Sequence, residues 1–302
     1  MSALDAGGTP SRGRGFLPRR RTAARHQRPS LLVKICFAWL ALVLFVAIFA
    51  GWLAPFGYTE QSLLTRLKPP AFLGGPAEHI LGTDGLGRDV LSRLFFAVRT
   101  SILIAFLGTA IGAVTGTVLG IIAAHFRGWV DDIVMVLVDF QASVPFLIVA
   151  LAILAFFGNS FVLFVCIVGL FGWETYARLV RGLVLSVSGE GYAFAIRTLG
   201  VHPARIYLRH VLPNIAGVLT VQLTLNFPEI ILLETSLSFL GLGVQPPGTS
   251  LGLALGEGRN YIATAWWIGL PAGAVIFLTT LSISLVGDWV RDALDPSLSR
   301  AE

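Results

Sequence analysis

Six apolar runs set the terms for this chain: residues 31–54, 101–124, 133–157, 161–183, 215–240 and 265–286. A helix crosses a bilayer core in about 20 residues, and each run reaches that length. Lipid offers no partner to backbone N–H and C=O groups, so an embedded segment must satisfy them within itself or in a closed barrel. Barrel strands are about half as long and alternate in polarity, so these continuous runs select helices. The expected fold class is an all-α integral membrane protein with six transmembrane helices. Charge agrees: 13% of the 302 residues are Asp, Glu, Lys or Arg, about half the ~25% of a soluble domain. That is too little to cover a soluble globule of this size.

Lys and Arg set the orientation. An even number of spans puts both termini on one side. With the N-terminus inside, the outer basic residues are Arg66, Lys68, Arg88, Arg93, Arg99 and Arg259, and the other sixteen of the 22 lie in inner segments. Both termini are therefore expected in the cytoplasm. Arg12, Arg14, Arg19, Arg20, Arg21, Arg25 and Arg28 supply much of the net charge of +5. Such an arm can bind nucleic acid, but directly ahead of an apolar span it reads as a cytoplasmic retention signal. No nucleic-acid partner is expected. The first run is too long for a cleaved signal peptide, and no small-residue cleavage site follows it. Cys36 and Cys166 have no CxxC or His neighbours and are read as small buried hydrophobes.

Within the spans, Gly108, Gly112, Gly116 and Gly120 recur every four residues. They line one helix face with hydrogens and let a second helix approach closely. Packing inside this subunit and a subunit–subunit or pore-facing contact are both open. Pro145 should kink the third span. Asp139, Glu229 and Glu234 are costly in lipid and should face protein or water. Pairing inside the bundle and a place on a substrate path are the two readings, and Asp139, Glu229 and Glu234 are the path candidates. Glu174 and Arg178 stand four apart, a spacing for an ion pair.

Between the spans, Pro55, Pro69, Pro70, Gly74, Gly75 and Pro76 break the first outer segment. Val90, Leu91, Leu94, Phe95 and Val98 then recur at helical spacing, which predicts an amphipathic helix on the outer surface. The Gly- and Pro-rich stretch from Gly241 to Thr264 is too broken for one helix and suits a re-entrant or surface loop closing the outer mouth. The short GLG at Gly85–Gly87 has no strand before it and carries no nucleotide-binding signal.

The polar segment Gly189–Asn214, GEGYAFAIRTLGVHPARIYLRHVLPN, reads as two short helices on the basic side. The first runs from about Glu190 to Leu199, with Ser188 as N-cap and Glu190 favoured by the helix dipole. Gly200 suits a left-handed C-cap and Pro203 both blocks continuation and starts a second helix through Arg205 to about Val211. Leu212 and Pro213 then break it before the fifth span. Tyr192, Phe194, Ile196 and Leu199 either pack back onto the spans or dock into a groove on a soluble protein.

Ala195, Gly200 and Leu212-Pro213 fall at the spacing of the EAA loop of permease subunits in ATP-binding-cassette importers. LGTDGLGRDVLSR (Leu81–Arg93), YARLVRG (Tyr176–Gly182), ETSLSFLGLGVQPP (Glu234–Pro247), GRNY (Gly258–Tyr261) and GDWVRDALDP (Gly287–Pro296) extend the likeness across residues 30–298. Together they resemble the C-type permease of dipeptide/oligopeptide/nickel importers. One departure stands out: Phe194 occupies the place of the glutamate that names the loop, and Ile196 that of its second alanine, with Glu190 one turn earlier.

The resemblance implies the type I importer permease fold in the bacterial cytoplasmic (inner) membrane. It implies a B-type permease partner, two cytoplasmic ATPases that use the ATP, and an extracytoplasmic solute-binding protein. The segments would be a basic tail at 1–30, the first span and outer loop at 31–98, and the permease domain at 99–290. Coupling helices would lie at 189–213, and a cytoplasmic tail at 291–302. ATPase coupling would fall to Glu190, Tyr192, Phe194, Ala195, Leu199, Gly200, Pro203, Arg205, Leu212 and Pro213. The chain itself carries no phosphate-binding loop, nucleophile–base constellation or metal spacing. It is expected to be a non-catalytic pore subunit without a cofactor, moving peptides or related small solutes. The rival is a self-contained secondary transporter or channel, which calls for an internal repeat and paired midplane charges; no repeat relates 31–157 to 161–286. A membrane-anchored enzyme is disfavoured by the missing constellation.

Overall fold

The computed structural model describes residues 29–189 and 202–294, and all regular structure among them is helical. Helix α1 (Leu31–Leu53) starts where Ser30 Oγ accepts the Val33 N–H at 3.4 Å. Its buried residues, Val33, Cys36, Val43, Ala47 and Ala50, form one stripe, while Ile35, Leu42, Phe45 and Ile48 point outward. A helix apolar on all sides is one whose far face meets lipid. Trp39 Nε1 donates to Thr279 Oγ1 at 3.2 Å, tying α1 to the last helix.

Helix α2 (Val90–Phe126) is 37 residues long, about 55 Å at 1.5 Å per residue. The amphipathic helix expected at the outer surface leads into the second span as one continuous helix, because the buried positions Val90, Arg93, Ala97, Val98, Ser101 and Ile104 keep helical spacing across the boundary. Its N-cap is Asp89, whose Oδ2 accepts the Ser92 N–H at 2.8 Å. A turn with positive φ at Arg127 and Gly128 leads into α3.

The third run is two helices, α3 (Gly128–Ser143) and α4 (Phe146–Phe157), bent by 89° at Pro145. The fourth is also two, α5 (Phe161–Gly169) and α6 (Trp173–Gly189). Gly172 sits at φ 80°, and a Cβ there would lie 2.5 Å from Asn226 Nδ2, so this break needs glycine on both counts. Helix α6 runs through Ser188, which is therefore in a last turn and not an N-cap; no breaker separates it from Leu183.

Helix α7 (Pro203–Ile206) passes through one π turn, Tyr207–Val211, into α8 (Leu212–Phe239). The expected break at Leu212-Pro213 is absent. Leu212 N–H reaches back five residues to Tyr207 O, and this π turn directly before Pro213 lets the helix run on through a residue that has no N–H. Helix α9 (Leu251–Gly258) occupies the segment expected to be loop. Its glycines are contact points: a Cβ on Gly252 would lie 2.6 Å from Thr235 O, and one on Gly258 2.4 Å from Gly269 Cα. Helix α10 (Leu270–Leu294) completes the bundle.

By length and polarity the described residues hold five membrane-crossing helices, or six with α3–α4 as one bent span. The core lies where α2, α5, α8 and α9 meet, around Ile104, Val168, Ile230, Leu237 and Leu251. We call the end where α1 starts and α10 finishes the terminal end. Cys36 is buried but Cys166 is exposed. An apolar residue in a membrane span need not point inward, which is why that expectation failed.

Candidate functional site

Three features stand out, at mid-span and at each end of the bundle. At mid-span, Asp139, Glu174, Arg178 and Glu229 come from α3, α6 and α8, well inside the spans. Arg178 Nη2 lies 2.9 Å from Asp139 Oδ1, with both side chains largely exposed (56% and 72%). The expected Glu174–Arg178 pair is replaced: Gln141 Nε2 donates to Glu174 Oε2 and to Leu170 O, both at 2.9 Å. Gln141 in turn accepts from Trp173 Nε1. Glu229 is exposed, 3.5 Å from Asn226 Nδ2. Charges at this depth are stable only against water or another protein chain. Asp139 and Glu229 are both exposed, Asp139 beside Arg178 and Glu229 beside Asn226. Glu234 does not join them. It is 0% exposed, and Ser101 Oγ and Ser238 Oγ donate to its two oxygens at 3.0 and 2.8 Å.

The glycine stripe of α2 seats α5 and α6. Gly108 faces Val168, Gly112 the carbonyls of Gly169 and Phe171, Gly116 Trp173 and Tyr176, and Gly120 Ala177 and Val180. A Cβ on Gly116 would lie 2.3 Å from Trp173 O. Asp131 of α3 holds Arg181 of α6 through two bonds at 2.5 and 2.6 Å.

At the terminal end, Ile206, Tyr207, Val211 and Ile215 pack with Ala124 of α2 and Val180 and Val184 of α6. Tyr207 Oη lies 3.0 Å from His125 Nδ1. Both flanks of segment 190–201 therefore rest on one apolar cluster. Arg205 and Pro213 are exposed there and Leu212 is half-buried. Pro203 opens α7. Glu190, Tyr192, Phe194, Ala195, Leu199 and Gly200 lie outside the described residues, as does nearly all of the basic tail.

At the opposite end is an ionic cluster that residue-by-residue reading missed. Asp84 accepts N–H bonds from Leu86 and Arg88, then Arg88 Nε at 2.6 Å and Arg93 Nη1 at 2.7 Å. Arg93, 5% exposed, also bonds Glu257 on α9. His79 Nδ1 lies 3.0 Å from Asp89. The signal lay in TDGLGRDVLSR, but its partner Glu257 is 164 residues from Arg93.

Comparison with known proteins gives the family of the chain. Residues 116–300 match the family described as binding-protein-dependent transport system inner membrane component, and residues 32–70 the N-terminal TM domain of oligopeptide transport permease C. The chain is 40% identical over 264 residues to the di/tripeptide transport system permease protein DppC of Pseudomonas aeruginosa, covering 87% of each. It is also 40% identical to the dipeptide transport system permease protein DppC of Escherichia coli K12, covering 87% of this chain and 88% of that one. The MetNI methionine ABC transporter, in inward-facing conformations, shares the fold at a TM-score of 0.56 and 18% identity. That match covers 68% of this chain and 97% of the other. The chain belongs to the binding-protein-dependent transport system inner membrane components, as a multi-pass permease subunit of the ATP-binding-cassette importer type, with the type I permease fold.

Proposed function

We propose that this chain is one of two membrane-spanning halves of a peptide importer. The observation that carries this is a set of exposed charged side chains within the spans, Asp139, Arg178 and Glu229, with Glu174 half-buried one turn before Arg178. Lipid cannot solvate it, so a second, B-type permease closes over it and the shared cleft carries cargo. The names of the similar permeases support di- and tripeptides as cargo.

The N- and C-termini are cytoplasmic in this reading, supported by the excess of Lys and Arg on the terminal side. Segment 190–201 docks one of two ATPases, with Glu190, Tyr192, Phe194, Ala195, Leu199, Gly200 and Pro203 at or beside the contact. Driving a two-state pore from 1:99 to 99:1 needs about 5.5 kcal/mol of differential stabilisation. A segment whose two flanks both rest on one packed cluster can pass movement to the spans. The opposite end meets a solute-binding protein. ATP is hydrolysed by the partner subunits, not by this chain.

Purification in mild detergent tests the assembly: an ATPase and a second permease are expected with this chain. Their absence across several detergents would favour a self-contained transporter. Gly200→Val should leave insertion intact and uncouple ATP hydrolysis from uptake; normal uptake in that variant would refute the docking role.

A further inference from the structure

A cavity of about 630 Å³ lies among α1, α2, α8 and α10. All four are membrane-crossing helices, and they form a ring: α1 touches α2 and α10, and α8 touches the same two. Val43 of α1, Ala113 of α2, Phe227 of α8 and Ile283 of α10 are among its walls, and no charged side chain lines it among the described residues. Four threonines also line it, but three of their hydroxyls are engaged elsewhere. Thr279 Oγ1 accepts from Trp39 Nε1, while Thr220 and Thr224 donate to Ala216 O and Val221 O. The fourth, Thr109 Oγ1, is sealed inside the packing. The walls therefore offer an occupant close contact and little hydrogen bonding.

Packed interiors hold few voids larger than a water molecule. An apolar void without polar partners does not take up water, and left empty its lining forfeits dispersion contacts. Its place in the subunit and its length select the occupant. Thr220 in its wall stands nine residues from Glu229 on α8, about two and a half turns, so the cavity and Glu229 face opposite ways. Glu229 needs water or a second protein chain on its own side; the cavity side makes no such demand. Leu44, Phe106 and Val114 line the cavity yet are exposed, so it opens outward from the ring within the spans. Along α2 it runs from Ile102 to Val114, about 18 Å at 1.5 Å per residue. One leaflet of a hydrocarbon core about 30 Å thick is roughly that deep. A long, flexible occupant without polar atoms and one leaflet in length is a hydrocarbon chain.

We propose that this cavity is a lipid site, in which one acyl chain of a membrane phospholipid lies between the α1–α10 pair and the α2–α8 pair. The chain supplies packing that the side chains leave undone, and so becomes part of the bundle. The contacts end at the chain, so the site selects for hydrocarbon and not for a headgroup. The inference stands apart from the cargo the subunit carries.

The test uses the whole complex, this chain with its partner subunits, in nanodiscs of phosphatidylethanolamine and phosphatidylglycerol that include phosphatidylethanolamine with a diazirine at mid-chain. After photolysis, bulk lipid should label exposed positions such as Phe277 and Leu281 on the far side of α10. A chain in the cavity should also label Thr224 and Phe227, which are only half-buried and line it. Ala113→Phe, and the milder Ala113→Leu, should fill the space. Labelling at Thr224 and Phe227 should then be lost while that at Phe277 is kept, and native mass spectrometry should count one phospholipid fewer retained per chain. Val118→Phe, on the exposed side of α2 outside the lining, should change neither reading. The unaltered chain alone decides the first point: no label at Thr224 and Phe227 overturns the inference whatever the variants do. Labelling that survives both Ala113 variants also overturns it. Labelling that appears only once the second permease is stripped away would give the cavity to that subunit and overturn the lipid assignment.

Discussion

At the scale of single residues, one letter takes several roles here. Gly116 and Gly182 both lie inside helices, yet a Cβ on Gly116 would strike Trp173 O at 2.3 Å while one on Gly182 meets nothing within 4 Å. Gly116→Ala should therefore cost about 1–3 kcal/mol through overpacking, whereas Gly182→Ala should gain roughly 0.5–1 kcal/mol of helix propensity. Thermal melting of the purified chain in detergent measures both, and equal shifts would contradict the seating of α6 on α2. The four-residue spacing announced a glycine face, but not which helix fills it, because periodicity carries no partner identity. Glu229 and Glu234 looked alike in sequence for the same reason. What separates them is Ser101, 133 residues from Glu234 and brought beside it only by the fold.

Among elements, breaks were readable where proline made them and hidden where tertiary contact did. Pro145 bends α3 from α4 as a missing N–H demands, whereas the α5–α6 break at Gly172 depends on Asn226, far along the chain. Helix α9 formed despite its glycines because close packing on α8 and α10 outweighs their low propensity. That helix is fastened by Glu257 to Arg93 on α2. Arg93→Met leaves Asp84 and Glu257 without this partner and should cost about 3–5 kcal/mol. Adding Asp84→Asn and Glu257→Gln should restore a good part of the loss. Urea or thermal unfolding checks this, and a triple variant no better than the single one would show that packing, not charge, matters at Arg93.

For the molecule as a whole, the flanks of segment 190–201 converge on Ile206, Tyr207, Val211, Ile215, Val180, Val184 and Ala124. Ile215→Ala should cost about 2–5 kcal/mol locally. Loosening this base should lower uptake more than ATP hydrolysis in the reconstituted complex; a proportional fall in both would contradict a transmitting role. Arg209→Cys should react with a membrane-impermeant thiol reagent only from the cytoplasmic side, and labelling from outside would reverse the proposed orientation. The six runs and their order were legible because hydrophobic length is a local property; the way they lean on one another was not. The glycine stripe has one further consequence. Its seats recur about every 6 Å along α2, at four residues and 1.5 Å per residue. Smooth seats of equal spacing resist separation but oppose axial slip only weakly. The register of α6 is therefore left to its other neighbours, Asp131 of α3 on Arg181 and Asn226 of α8 on Gly172, so α2 supplies the track and α3 and α8 the stops.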